Sequence, residues 1–304
     1  MSKAGFQFVA PDWRTQRQVS AAMTLRNGGV SSGPFRSLNL GVHVGDEPSA
    51  VAENRRRVHE HLGLPSEPVW LEQVHGIAVV DLDSPGGTAT GRGAVGSSAG
   101  GVSSSGAVGS GSGIGSSGAS GWGIGGSSSS GSRGAVDSRA GSTPFRADAV
   151  VTRRAGPVCA IQVADCLPVL LSARDGSAIG AAHAGWRGLA GGVIEATVRA
   201  MDTDPGRLLA WLGPAIGQPN FEVGDEVRAA FVGHDAQAAT AFTQNARARW
   251  QCDLYALARL RLAALGVQHV SGGGWDTYAQ ADEFFSYRRE GKCGRMAALI
   301  WINP

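Results

Sequence analysis

Val158-Cys159-Ala160-Ile161-Gln162-Val163-Ala164-Asp165-Cys166-Leu167-Pro168-Val169-Leu170-Leu171-Ser172-Ala173, continued after Arg174-Asp175-Gly176-Ser177 by Ala178-Ile179-Gly180-Ala181-Ala182-His183-Ala184-Gly185-Trp186-Arg187-Gly188, is the stretch that decides the fold. It contains three short apolar runs, 158–163, 167–173 and 178–182, bounded by Asp165-Cys166, by Asp175-Gly176 and by Gly185. Runs of this length, carrying β-branched residues and closed by turn residues, read as buried strands.

Outward from this centre, strands and helices alternate. Asp46-Glu47-Pro48-Ser49 reads as a helix start, with a capping side chain and a proline in the first turn. The helix runs through Val51, Asn54, Val58 and Leu62 to a stop at Gly63. Leu189 to Met201 reads as a helix after a glycine-flanked turn, Leu208 to Leu212 as a strand and Glu222 to Val232 as a helix. Asp253 to Leu265 is a strong helix stopped by Gly266, and Met296 to Ile302 a closing strand. Strands and helices mixed without a strict βαβ period predict an α+β fold, an α/β layered sandwich in which a mixed sheet is flanked by helices.

From Ser84 to Thr143 the composition shifts to Gly, Ser and Ala, as in Gly125-Gly126-Ser127-Ser128-Ser129-Ser130-Gly131. So few large apolar side chains cannot offset about 1 to 2 kcal/mol of backbone entropy per residue, so this segment reads as a disordered insertion. Loop closure grows only logarithmically with length, about 0.6 kcal/mol per doubling, so the insertion is tolerable between neighbouring strands near Leu82 and Phe145. The expected organisation is an N-terminal tail over 1–22 and one domain over 23–304, interrupted by the insertion at 84–143.

The 304-residue chain is 42% apolar, enough for a substantial core. A net charge of +2 supplies no broad basic face for nucleic acid. No run of some 18 apolar residues marks a membrane span, and Met1 to Trp13 lacks the apolar core of a secretory signal. Four cysteines are too few for a disulfide scaffold and suit a reducing cytoplasm. A small-molecule substrate is the expectation.

Candidate chemistry sits where apolar runs are interrupted. Glu72-Gln73-Val74-His75-Gly76, Ala164-Asp165-Cys166-Leu167 and Ala182-His183-Ala184-Gly185 each place polar groups at a strand end. Taken singly, each is as well explained as a hydrogen-bonded core residue. Together, two imidazoles and a thiolate suit a zinc ion with an open fourth position, although their spacing matches no short metal motif. The same residues serve a metal-free reading, with Cys166 as nucleophile, His183 as its base and Asp165 or Gln73 orienting. Gly185-Trp186-Arg187-Gly188 before the next helix reads as an anion site for phosphate, or as close packing beneath a solvated arginine. Phe284-Phe285-Ser286-Tyr287-Arg288-Arg289 mixes aromatic and basic residues suited to a nucleobase or ribose, or to a solvated hairpin.

As an ordered set, Ser-Leu-Asn-Leu-Gly-x-His-Val-Gly-Asp from Ser37, Glu-Gln-Val-His-Gly from Glu72, Ala-Asp-Ala-Val-Val-Thr from Ala147, Ala-Asp-Cys-Leu-Pro-Val from Ala164, Ala-Ala-His-Ala-Gly-Trp-Arg-Gly from Ala181, Gly-Pro-Ala-Ile-Gly from Gly213 and Phe-Ser-Tyr-Arg-Arg-x-Gly from Phe285 resemble the YfiH or laccase-domain family. Its members are described as purine nucleoside phosphorylases, and also as multicopper polyphenol oxidases or peptidoglycan editing factors. The resemblance spans about Met23 to Trp301 and is broken by the insertion after Leu82. It implies that His75, Cys166 and His183 are the zinc-binding and catalytic residues. It further implies substrate contacts from Asn39, Arg55, Gln73, Asp165, Arg187 and Arg288. The implied reaction is phosphorolysis of adenosine, inosine, guanosine and 5′-methylthioadenosine, with adenosine deamination as a second activity. Purine nucleosides and inorganic phosphate are then the partners. Breaking the N-glycosidic bond passes through an oxocarbenium-like sugar, so phosphate should be held near Arg187 against the anomeric carbon.

Three rival readings remain. A multicopper laccase needs many histidine ligands, and the chain has seven, scattered singly, so copper is the less expected metal. A Cys/His amidohydrolase acting on a peptidoglycan precursor would survive a chelator. A non-enzymatic nucleotide-binding or partner-binding module would keep the pocket and use the Gly/Ser segment for assembly.

Overall fold

A computed structural model describes residues 6–13, 18–84, 89–90 and 145–304. Its strands form two large sheets and a small one. The first has the order β1 (Phe8–Val9), β2 (Val19–Thr24), β15 (Met296–Ile302), β7 (Val158–Val163), β3 (Pro68–Val69). The second has the order β14 (His269–Gly272), β10 (Leu208–Leu212), β8 (Leu167–Ala173), β9 (Ile179–Ala184), β6 (Ala149–Thr152), β4 (Val79–Asp81), β5 (Ala89–Thr90). The third consists of β11 (Glu222–Val223), β13 (Trp250–Cys252) and β12 (Phe242–Gln244) in that order. Both large sheets are mixed: β8 and β9 are antiparallel, whereas β4 pairs parallel with β6 and β3 with β7. The helices are α1 (Pro48–Leu62), α2 (Trp186–Gly191), α3 (Val193–Ala200), α4 (Asp225–Val232), α5 (Leu254–Ala264) and α6 (Tyr287–Glu290).

Alternation along each strand assigns the layers. Cys159, Ile161 and Val163 of β7, with Met296, Ala298 and Ile300 of β15, face Val150, Leu170, Ile179, Ala181 and Trp211 of the second sheet. The opposite face of the first sheet, Val158, Ala160, Ala297, Leu299 and Trp301, packs on Leu38, Leu40 and Val58 beneath α1. The opposite face of the second sheet, including Leu167, Val169, Leu171 and Ala182, packs on Leu189, Val193, Leu254 and Leu257. The result is a layered sandwich of helix, sheet, sheet and helices. Strands β7, β8 and β9 are buried on both faces, which is why they are predominantly apolar, broken only by Gln162, Ser172 and His183. The layering matches expectation, but it holds two stacked sheets where the sequence suggested one.

Several boundaries move. The predicted tail 1–22 contains β1 and most of β2, and β2 pairs with β15 from Val19↔Ile302 to Met23↔Ala298. The predicted helix 189–201 starts earlier and is split, because Gly192 at φ +97° ends α2 and begins α3. Glu222 and Val223 are strand, and α4 begins only after Gly224. Strand β9 runs on past Ala182 and includes His183. The N-cap of α1 is Glu47 without a side-chain cap, since the Asp46 carboxylate is taken by Ser31 and Asn39. Within the expected insertion, Ala89 and Thr90 pair with β4, and nearly all the rest lies outside the described residues. The strands that flank it, β4 and β6, are neighbours, as expected. Among the described residues no helix is long and apolar enough to cross a membrane.

Candidate functional site

Hairpin geometry turns distance along the chain into contact. Strands β8 and β9 pair with Leu167 opposite Ala184 and Pro168 opposite His183, so Cys166, just before β8, lies beside the end of β9. His183 shares the face of Ile179 and Ala181, which look into the space between the sheets. Strand β6 flanks β9 on its other side, with Ala149 opposite Ala182, and the His183 N–H donates to the Asp148 carbonyl at 2.7 Å. Asp148 therefore lies beside His183, and its carboxylate reaches two ways. Oδ1 receives His183 Nδ1 at 2.8 Å and the His75 N–H at 2.9 Å, while Oδ2 receives the Gly76 N–H at 2.6 Å and the Val74 N–H at 3.2 Å. One fully buried carboxylate thus fixes the ring of one histidine and the backbone of the loop bearing the other.

The outcome is a compact trio. Cys166 Sγ lies 4.0 Å from His75 Nε2, and ligand atoms of His75, Cys166 and His183 all fall within 4.8 Å of one another. The imidazoles meet edge to face with centroids 4.8 Å apart. His75 is exposed, Cys166 half-buried and His183 buried, so the group opens outward through His75. His75 at φ +59° and Asp165 at φ +91° both occupy the left-handed region, at roughly 1 to 3 kcal/mol each. Hydrogen bonds to Asp148 hold the first. The second is held by the Ile216 N–H on its carbonyl and by its own carboxylate contacts.

The charges agree with the geometry. Burial pushes the Cys166 thiol up, yet the adjoining His183 and His75 outweigh it and bring it down to about 6. Burial lowers His183, while the Cys166 sulfur and the Asp148 carboxylate raise it to about 9. Asp148 is also pushed up by burial, but His183 and the N–H groups of Gly76 and His75 leave it below its ordinary value.

This donor set can hold a metal ion. Because Asp148 accepts from Nδ1 of His183, Nε2 is left as the ligating nitrogen, the carboxylate–histidine arrangement common behind metal ligands. Tetrahedral zinc with nitrogen and sulfur donors at roughly 2.0 to 2.3 Å sets those donors about 3.5 Å apart, so the trio fits after closing by about an ångström. It is the only such group of three or more among the described residues.

The remaining expected contacts divide. Asn39 is fully buried and turned on the protein: Oδ1 accepts from Gly41 and Arg295 N–H, and Nδ2 donates to the Gly41 carbonyl and Asp46. Gln73 makes a two-way clamp on the backbone of Gln162, at 2.8 and 2.7 Å. The Asp165 carboxylate receives the Thr277 hydroxyl at 2.6 Å and the Arg288 N–H at 2.7 Å. Arg55, on α1, binds the Leu40 carbonyl and stacks 4.0 Å over Trp70. These four hold loops together. Arg187 and Arg288, by contrast, line a cleft of about 350 Å³ together with Trp186, Phe221, Glu226 and Arg249.

Sequence reasoning missed Asp148, although the signal applied to Asp165 was present there too: a lone carboxylate in the apolar run from Ala147 to Thr152. It also missed the close approach at Gly185, where a Cβ would sit 2.8 Å from Cys166 Sγ. Glycine is required there to let the backbone pass the thiol.

The family model described as multi-copper polyphenol oxidoreductase laccase matches residues 20–109 and 126–303. A protein of Pseudomonas aeruginosa named purine nucleoside phosphorylase is 42% identical over 297 residues, covering 97% of this chain and 98% of the relative. The purine nucleoside phosphorylase YfiH of Escherichia coli is 41% identical over 299 residues, covering 97% and 99%. A crystal structure from Neisseria meningitidis superposes with a TM-score of 0.75 at 39% identity, covering 98% and 99% of the two chains. YlmD from Geobacillus stearothermophilus also superposes with a TM-score of 0.75, at 27% identity over 100% and 98%. With the converging His75, Cys166 and His183, the layered sandwich and full-length similarity in agreement, the chain belongs to the laccase-domain family to which YfiH belongs.

Proposed function

We propose that this chain is a zinc-dependent purine nucleoside phosphorylase that cleaves the N-glycosidic bond of adenosine, inosine, guanosine and 5′-methylthioadenosine with inorganic phosphate, and that deaminates adenosine as a second activity. The observation that carries this reading is the convergence of His75, Cys166 and His183 within 4.8 Å, in a chain about two-fifths identical along its length to proteins of that name. Asp148 fixes the orientation and protonation of His183, while the Asp148-bound turn presents His75 from the solvent side. His75, Cys166 and His183 would hold the ion. Zinc, when bound, is a Lewis acid that brings the pKa of a coordinated water toward about 7. Four free cysteines accord with a cytoplasmic setting.

The donor count bears on copper. A single three-ligand group among the described residues supplies one ion, whereas a multicopper oxidase assembles several. A metal-free thiol hydrolase, for example an amidase on a peptidoglycan precursor, draws support from the Cys166 thiol being lowered to about 6 beside His183. The deciding experiment is elemental analysis of the purified protein, then incubation with adenosine or inosine and phosphate and chromatography of the products. Free purine base with ribose 1-phosphate, lost on chelation and in Cys166→Ala, is expected. Activity that survives both treatments would remove the metal trio from the reaction.

A further inference from the structure

The cleft lined by Arg187 and Arg288 has an unusual charge arrangement. Two of its lining residues are tied to the neighbourhood of Cys166: Trp186 follows Gly185, whose backbone lies against Cys166 Sγ, and the Arg288 N–H donates to Asp165, the residue before Cys166. Three guanidinium groups line it from three separate elements: Arg187 in α2, Arg249 in the turn before β13 and Arg288 in α6. Arg187 lies 4.4 Å over the Trp186 ring and Arg288 5.3 Å over Phe221, and one Arg288 nitrogen donates to the Glu222 carbonyl at 3.0 Å. Among the described residues, neither Arg187 nor Arg249 makes a side-chain hydrogen bond or ion pair.

The acids of the cleft do not cancel this charge. Glu222 is already paired with Arg247 and Asn245 through Oε2, so Glu226 is the single uncompensated carboxylate facing three arginines. Guanidinium forks arriving from different directions suit a tetrahedral dianion with several acceptor oxygens better than a flat carboxylate. A volume of about 350 Å³ lies near the lower end of ligand cavities, roughly 300 to 1,000 Å³. It admits such an anion with space for a sugar beside it.

We propose that the cleft framed by Arg187, Arg249 and Arg288 is a phosphoryl-anion site in which Arg249, on the β12–β13 turn, is a binding residue and Glu226 opposes the charge of the occupant. The occupant is inorganic phosphate or the phosphate group of a sugar phosphate. The first source rests on the phosphorolysis reading above, whereas the second does not require it.

The test uses the intact protein and the variants Arg249→Ala and Glu226→Gln, both at exposed positions whose side chains make no hydrogen bond among the described residues. Titration with inorganic phosphate, and separately with ribose 5-phosphate, is followed calorimetrically at low and moderate salt. Losing one unpaired guanidinium should weaken binding about fivefold, and neutralising Glu226 should strengthen it about twofold, both changes shrinking as salt is added. Opposite shifts for inorganic phosphate support free phosphate as the occupant. Opposite shifts for ribose 5-phosphate alone support a phosphate carried on sugar. No shift with either probe, or shifts of the same sign in both variants, overturns the proposal. Binding and turnover fail separately. Phosphate binding that depends on Arg249, in a protein releasing no base from inosine, would retain the site and remove the reaction. Phosphorolysis with the KM for phosphate unchanged in Arg249→Ala would retain the reaction and remove the site.

Discussion

Replacing Asp148 by Asn tests the whole construction of the site, because this carboxylate is fully buried and accepts from four donors at 2.6 to 3.2 Å. Asparagine keeps one acceptor oxygen and turns an N–H2 group toward N–H donors, leaving part of the cluster unpaired in the core. A hydrogen bond to a charged group contributes roughly 1.5 to 3 kcal/mol, and removing one partner from a buried ionic network costs about 3 to 5 kcal/mol. At about 2 to 4 °C per kcal/mol for a domain of this size, thermal unfolding should fall by roughly 6 to 20 °C. The bond to His183 Nδ1 is weakened at the same time, so metal affinity should drop about 10- to 100-fold, read as metal retained after dialysis against a chelator. The difference should depend on pH. The Asp148 carboxyl is held below its ordinary 3.8, so its contribution is complete above that value and is lost as pH falls through the folded value. Wild type and variant should therefore differ fully above about pH 4 and converge only as the pH falls further, through the folded value of the Asp148 carboxyl. An unfolding temperature within a degree or two of wild type, with metal retention unchanged, would refute the view that Asp148 organises the site.

Gly185→Ala would set a methyl 2.8 Å from Cys166 Sγ and 3.4 Å from His75 Cδ2; metal content should fall, with a stability loss of about 1 to 3 kcal/mol, and full metal content would contradict this packing. Gln73→Ala removes the clamp on Gln162 and should lower stability by roughly 1 to 3 kcal/mol in denaturant titration while the nucleoside KM stays within about twofold. A large KM rise at unchanged stability would return Gln73 to the role of a substrate contact. In metal-stripped protein, alkylation of Cys166 by iodoacetamide should rise through a midpoint near pH 6, because the thiolate predominates above that value. A midpoint near the ordinary 9.0 would show that the histidines do not stabilise the thiolate.

How much the sequence disclosed follows from how each residue meets its surroundings. Strands β7, β8, β10 and β15 were readable to the residue because they are buried on both faces and end in turn residues. The break at Gly192 was not, since Gly191-Gly192 sits within a helical period and only φ shows that the chain turns there. Strands β1 and β11, two residues each, carry too little pattern to register, and β2 depends on pairing with β15 from the far end of the chain. For the site, a polar residue interrupting an apolar run was the signal, and it singled out His75, Cys166 and His183, whose ligand atoms converge. The same signal also raised Gln73 and Asp165, and the motif containing Asn39 was raised by resemblance, yet the hydrogen-bonding groups of these three are turned on neighbouring segments of the protein. What separates a ligand-facing residue from a loop clamp is whether its donors and acceptors are already used within the protein, and that depends on partners brought in from distant segments. Asp148 illustrates the opposite case, since its four bonds to the protein are the means by which it acts on the trio. Arg187 and Arg249 lie at the other extreme, each with a guanidinium unclaimed among the described residues at the edge of a cleft, and it is this unclaimed capacity that points toward an anion.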